Sequence, residues 1–181
     1  GDYQRWFQYK NTHAVLRDLF VRPNIPQHEL TIGLVNRKPA SGRHLINADE
    51  LCLMIEEELG IHVTQTFFEE TTFDYQIQFF RNHQVMIGPH GAHLANIPFL
   101  PDNALILECC DEWQPYEYFT GLAYTCDKYH VIFRPSHKTF FKGKQTNTKQ
   151  NIRCDCSKVI QSIRDYINGG NHLRSKYAYL K

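Results

Sequence analysis

Residues Val85 to Cys110 read VMIGPHGAHLANIPFLPDNALILECC, and the order of residue types in this stretch decides the fold. A short apolar run, Val85-Met86-Ile87, gives way to Gly88-Pro89-His90-Gly91-Ala92. An apolar segment follows, then a Pro-Asp-Asn turn at Pro101 to Asn103, then a second apolar run from Ala104 to Leu107 that ends on Glu108. Strand, glycine turn, helix start and strand in succession make one βαβ unit. Without a Cβ, Gly88 and Gly91 let the backbone approach a ligand closely, and the N–H groups of the helix turn beginning near Ala92 then face an anion. His90 and His93 stand beside that turn as donors to a phosphate. Glu108 falls at the carboxyl end of the next strand, where an acidic residue can accept from ribose hydroxyls.

Upstream, Leu30 to Val35 reads as a buried strand that runs into Asn36-Arg37-Lys38-Pro39, with Ser41, Gly42 and Arg43 behind it. Arg37, Lys38 and Arg43 therefore sit at the strand edge where open α/β sheets bind ligands, and planar guanidinium groups match a diphosphate better than an ammonium does. Asn47 with Glu50 three residues on predicts a capped helix carrying the stripe Leu51, Met54, Ile55 and Leu59, stopped by Gly60. Ile61 to Phe67 alternates as a strand. Thr72 opens a helix with the stripe Phe73, Ile77 and Phe80, which delivers the chain to Val85. An earlier helix is expected over His13 to Phe20, closed by Pro23 and Pro26.

Downstream, Pro115 suits a first helical position, with Tyr118, Phe119, Leu122 and Ala123 as the buried face, and Tyr129 to Phe133 is a further strand. Residues 134–153 hold Arg134, Lys138, Lys142, Lys144, Lys149 and Arg153 with no acidic residue, a basic surface loop by composition. Asp155 or Ser157 can cap a last helix with the stripe Val159, Ile160, Ile163 and Ile167, ended by Gly169-Gly170, and 171–181 is a basic tail. The alternation of strands and helices predicts one α/β domain over 1–181, doubly wound around a mainly parallel sheet.

Composition sets limits on what this domain does. A chain of 181 residues, 42% hydrophobic and 13% aromatic, can bury one substantial core. Its formal net charge of +1 argues against a nucleic-acid partner, whose binding rests on phosphate neutralisation. No apolar run approaches the roughly 20 residues of a membrane span. The chain opens on GDYQRWF without a methionine, as a processed or excised piece does. The six cysteines fit no paired C-x-x-C zinc pattern. Cys52 lies on an apolar helix face, whereas disulfides among Cys109, Cys110, Cys126, Cys154 and Cys156 are open if the compartment is oxidising.

Taken together, Arg37-Lys38, Arg43, Leu45-Ile46-Asn47, Glu50-Leu51, Phe73, Gln76, Ile77, Phe80, Gly88, His90-Gly91-Ala92, Leu94, Asn96, Phe99-Leu100-Pro101 and Glu108 resemble the glycosyltransferase 61 family over roughly Val15 to Phe133. The His-Gly-Ala block with its downstream Phe-Leu-Pro and Glu carries most of that resemblance. It implies a GT-B enzyme of two Rossmann-like lobes, inverting at the anomeric carbon, needing no cofactor or metal and working in the ER or Golgi lumen. This chain resembles the carboxyl-terminal, donor-binding lobe, so an amino-terminal lobe is an expected partner, along with a nucleotide-sugar and a glycoprotein or polysaccharide acceptor. GlcNAc or a pentose is the expected sugar. By position, Arg37, Lys38 and Arg43 would meet the donor diphosphate with Gly88, His90, Gly91, Ala92 and His93. Glu108 would hold the ribose, and His90 is the first residue to consider as general base. His93 departs from the family pattern, which carries a small or amide residue there.

Two other classes compete. One is an α/β lobe that binds a nucleotide-sugar or a partner without turnover. The other is a metal-dependent hydrolase with His90, His93 and Glu108 as ligands, although His-x-x-His across a glycine turn is poor geometry for one ion.

Overall fold

The structure, a computed structural model, describes Val15 and residues 29–110, 118–134 and 150–169. Most of the expected helix over His13 to Phe20, Pro115, most of the basic loop and the 171–181 tail lie outside the described residues. Among the described residues there are five strands: β1 (Ile32–Asn36), β2 (Val63–Phe67), β3 (Val85–Pro89), β4 (Leu105–Cys109) and β5 (Tyr129–Phe133). Four α-helices among the described residues are delimited: α1 (Ala48–Leu59), α2 (Phe73–Arg81), α3 (Tyr118–Thr125) and α4 (Cys156–Ile167). All four strand pairings are parallel, in the order β2-β1-β3-β4-β5.

Every residue of β1, β3 and β4 is buried, as a parallel sheet covered on both faces requires. The period of two sorts their side chains into two cores. Ile32, Leu34, Val85, Ile87, Leu105 and Leu107 pack with Leu51 and Ile55 of α1 and Val159, Ile160 and Ile163 of α4. Val35, Met86 and Ile106 face the other way, onto Ile77, Phe79 and Phe80 of α2 and Leu122 and Ala123 of α3. Helices on both faces make the sheet doubly wound, as the alternation predicts.

Several local expectations need correction. The connection between β3 and β4 is not an α-helix but a 3₁₀ helix, Ala92–Phe99, with Pro98 inside it. A proline there has no N–H to give and its ring crowds the carbonyl four residues back, so the tighter winding takes over. Phe73 is not part of the buried stripe of α2: it is 54% exposed and meets Phe99 edge-on. Thr72 does cap that helix, accepting from the Tyr75 N–H at 3.2 Å, and Asp155 caps α4 through the Lys158 N–H at 3.2 Å.

Asn47 stands at the N-cap of α1 but makes no side-chain cap bond. Its amide is spent across the structure instead. The Cys154 N–H donates to Asn47 Oδ1 at 3.0 Å, and Asn47 Nδ2 donates to the Cys154 carbonyl at 3.1 Å and to Cys156 Sγ at 3.2 Å. Beside it a parallel bridge joins Leu45 to Ile152, closed by Ile46 N–H to Ile152 O at 2.9 Å and Ile152 N–H to His44 O at 2.8 Å. The chain entering α4 is thereby tied to the chain entering α1.

Replacing Asn47 by alanine strips three buried groups of their partner. Unfolding free energy is therefore expected to fall by about 2 to 3 kcal/mol, more than the roughly 1 kcal/mol of a lost helix cap. Urea denaturation measures it, and a change within about 0.5 kcal/mol would show that the asparagine holds nothing.

Candidate active site

The strand order turns back between β1 and β3, and in open α/β sheets the crevice at the carboxyl ends of such a pair receives the ligand. Two segments leave the sheet there: residues 37–45 after β1, and 88–93 at the end of β3. Asn36, 2% exposed, shapes the first segment. Its Oδ1 accepts from the Arg37 N–H at 2.8 Å and the Leu45 N–H at 2.9 Å, while its Nδ2 donates to the Leu45 carbonyl at 3.1 Å. One side chain so closes the loop that carries both arginines. His44 adds a bond from Nδ1 to the Arg37 carbonyl.

Arg43 has a backbone φ of 58°, a left-handed conformation that costs a non-glycine residue energy. From that position its Nη1 donates to the His90 carbonyl at 3.2 Å, so the β1 loop is latched to the β3 turn. Gly88 and Gly91 supply the room for this meeting. A Cβ on Gly88 would lie 2.7 Å from the Val35 carbonyl oxygen and 2.8 Å from His93 Nε2. On Gly91 it would lie 3.2 Å from His93 Nδ1 and 3.7 Å from Arg37 Nη1. His93 is thus folded back under the glycine turn, edge-on to Phe68. Its Nε2 is buried with no hydrogen-bond partner among the described residues. Burial pushes its pKa down to about 3, with Arg37, Arg43 and His90 adding to the effect against Glu108, so the ring is neutral at working pH.

Glu108 is the node of the site. It is 0% exposed. One carboxylate oxygen takes a bond from His90 Nδ1 and the other takes one from His130 Nε2 at 2.7 Å. Burial raises a carboxyl's pKa, but here the bonds from His130 and then His90 outweigh it and bring Glu108 down to about 2. Two donors on an ionised carboxylate assign both tautomers. His90 keeps its Nε2 as the lone-pair side when the ring is neutral, and His130 keeps Nδ1, which lies 3.2 Å from Thr120 Oγ1. The His90 backbone N–H is itself fixed by the Cys109 carbonyl at 2.8 Å, and its ring leans on Phe119 with centroids 5.4 Å apart.

Of the residues singled out from sequence, Arg37, Arg43, Gly88, His90, Gly91, His93 and Glu108 come together, and Ala92 starts the 3₁₀ helix exposed beside them. Lys38 turns away: its ammonium pairs with Glu70 and its N–H donates to Glu69 Oε1 at 3.0 Å. The sequence reading missed Asn36 as a loop clamp and His130 as the second donor to Glu108. A basic, polar ring inside the apolar run Tyr129 to Phe133 was the available signal. Among the described residues, the donors grouped closely enough for an ion are His90, Glu108 and Cys110, within 4.8 Å of one another. His93 is not in that group, and Glu108 already holds two imidazoles.

Residues 5–107, more than half of the chain, match the family model described as Glycosyltransferase 61. The chain is 32% identical over 94 residues to the EGF domain-specific O-linked N-acetylglucosamine transferase of Drosophila melanogaster, an alignment covering 52% of this chain and 18% of that protein. It is 26% identical over 91 residues to the protein O-linked-mannose beta-1,4-N-acetylglucosaminyltransferase 2 of Danio rerio, covering 47% of this chain and 16% of that protein. The chain thus spans about a fifth or less of the length of these curated relatives. Among solved structures, a putative D-3-phosphoglycerate dehydrogenase from Ralstonia solanacearum superposes with a TM-score of 0.39 and 12% identity over 83% of this chain and 53% of that one, too slight a likeness to carry an argument.

The neutral His93 has a consequence for stability. Its folded pKa of about 3 lies below the ordinary 6.5, so between those values the unfolded chain binds a proton that the folded chain does not. Stability should therefore fall as pH drops from 6.5 toward 3, by up to about 1.4 kcal/mol per pH unit from this ring. Burial lowers His83 in the same sense. In His93→Gln the slope of denaturation free energy against pH should flatten across that window, and an unchanged slope would mean that another group titrates.

Proposed function

This chain belongs to the glycosyltransferase 61 family, and on that premise we propose that it forms the donor-binding lobe of an enzyme that moves a sugar from a nucleotide-sugar to a hydroxyl. The observation that carries this reading is the joining of two arginines to a glycine turn at the β1/β3 switch point, beside a histidine oriented by a buried carboxylate. Arg37 and Arg43 supply fixed, planar positive charge where a diphosphate would lie.

In the reaction proposed, an acceptor oxygen attacks the sugar C1 as the bond from C1 to the phosphate oxygen breaks. The electron pair leaves on the nucleoside diphosphate, and inversion follows from attack opposite the leaving group. His90 Nε2 takes the acceptor proton, and Glu108 holds the ring in the tautomer that can do so. Charge growing on the departing diphosphate is met by the arginines, so this reading needs no metal. The names of the relatives, N-acetylglucosamine transferases, favour GlcNAc as the sugar; a pentose is the other candidate, and the proposal takes a protein-linked glycan or polysaccharide as acceptor and the ER or Golgi lumen as compartment. An amino-terminal lobe supplied by the rest of the protein would bring the acceptor and close over the donor.

Uridine diphosphate is expected to bind in calorimetry with excess EDTA present. Arg37→Ala or Arg43→Ala should each cost about 1.5 to 3 kcal/mol of affinity, the range for a bond to a charged group. Binding abolished by chelation would sink the metal-free reading, and two arginine variants with full affinity would move the diphosphate elsewhere.

A second outcome separates orienting from ligand holding. In the full-length protein Glu108→Gln should lower kcat by roughly 100-fold or more while donor affinity stays within about twofold, because a misplaced tautomer harms proton transfer and not binding. A variant that keeps kcat but loses donor would return Glu108 to the ribose. Donor binding without transfer by the wild-type protein, across several nucleotide-sugars, would leave a binding module in place of an enzyme.

A further inference from the structure

His130 is sealed inside the domain. Its side chain is 0% exposed, against 9% for that of His90, so it can bear on a bound ligand only through another residue. That residue is Glu108. In the β4/β5 register His130 stands beside Ile106, two positions before Glu108 on the same face of β4, and from there its Nε2 reaches the far carboxylate oxygen at 2.7 Å. The near oxygen takes the bond from His90 Nδ1. Helix α3 touches both rings with neighbouring residues: Phe119 lies against His90 with centroids 5.4 Å apart, and Thr120 Oγ1 is 3.2 Å from His130 Nδ1.

We propose that His130 is a positioning residue for the transfer step, fixing which nitrogen of His90 carries the proton by holding the second oxygen of Glu108. This rests on the reading of His90 as the base. An ionised carboxylate has no hydrogen to give, so each ring must turn an N–H toward it, and the donors then run in one direction. Thr120 O–H donates to His130 Nδ1, His130 Nε2–H donates to Glu108 Oε2, and His90 Nδ1–H donates to Glu108 Oε1. The His90 Nε2 lone pair is left for an acceptor hydroxyl.

Without a donor on the far oxygen the order inverts. A buried carboxylate oxygen with no partner is costly, and the group escapes that cost by taking up a proton. The carboxyl then has an O–H to give, His90 Nδ1 becomes its acceptor, and the single proton of the ring sits on Nε2. The base has become a donor. The balance in the native protein agrees: burial pushes Glu108 up, and the bonds from His130 and then His90 bring it down to about 2. His93 and the thiols of Cys109 and Cys110 also lie around Glu108, with Arg43 at the His90 carbonyl. Among the described residues, however, the side chains bonded to the carboxylate are the two imidazoles.

Nuclear magnetic resonance of isotope-labelled histidine reads the proton position without any turnover, at a pH where the rings are neutral. The wild type should show His90 protonated on Nδ1 and His130 on Nε2. In His130→Phe, or in His130→Leu if that variant folds better, the His90 proton should move to Nε2, whereas His130→Gln, whose amide donates from the same place, should leave it on Nδ1. In the full-length enzyme, kcat of the apolar variant should fall below the wild type by roughly 100-fold or more at the acid end of the pH profile. That deficit should shrink as rising pH ionises Glu108 again, with affinity for uridine diphosphate held within about twofold. His130→Gln should follow the wild-type profile. A His90 tautomer indifferent to His130, or a loss of kcat equal at every pH and shared by His130→Gln, would overturn the proposal. A tautomer that moves while kcat does not would uphold the coupling and remove His90 as the base.

Discussion

A carboxylate with no access to water must be met by donors, because an uncompensated buried charge costs several kcal/mol at least. Glu108 sets that condition for the whole carboxyl edge of the sheet. Its two oxygens draw a histidine from the end of β3 and another from β5, so three neighbouring strands must arrive in register before the charge is accepted. The His90 backbone bond to Cys109 and the lean of Phe119 on the His90 ring follow from that arrangement. A hydrophobic residue at 108 could pack as well, but it would leave both rings free to turn.

The opposite side of the crevice uses neutral polar groups for the same end. Asn36 and Asn47 are buried amides that satisfy backbone N–H and carbonyl groups of other segments. Each makes a loop behave as an extension of the sheet, and buried polar groups that are fully met confer this kind of definition. The strained backbone of Arg43 persists because Asn36 holds Leu45 on one side and the guanidinium is anchored on the His90 carbonyl on the other.

The strands and their order of occurrence were legible because β1, β3 and β4 are unbroken apolar runs, and a parallel sheet buried on both faces leaves no other pattern. Arg37, Arg43, His90 and the glycines were legible as a site since polar residues immediately after such runs must lie at one edge. The direction in which each side chain points was not. Lys38 and Arg37 are neighbours with opposite fates, decided by the acidic turn Glu69-Glu70 that β2 delivers to one of them. Glu108 is indistinguishable by position from a ribose acceptor until His130 is placed beside it, and that requires the β4 and β5 register. Asn47 looked like a cap because its partner lies 107 positions away.

That distance bears on how the protein is made. Residues 44–47 take a second set of backbone and side-chain partners from residues 151–156. A ribosome adds roughly 5 to 20 residues per second, so the nascent loop waits several seconds between its own synthesis and that of the segment that braces it. Through that interval β1, β2 and β3 can already pair, but the loop bearing Arg43 lacks its brace from residues 151–156. The crevice is therefore among the last parts of the domain to become competent, and a stall in translation before Asn151 would leave a paired sheet with its ligand edge still open to chaperones.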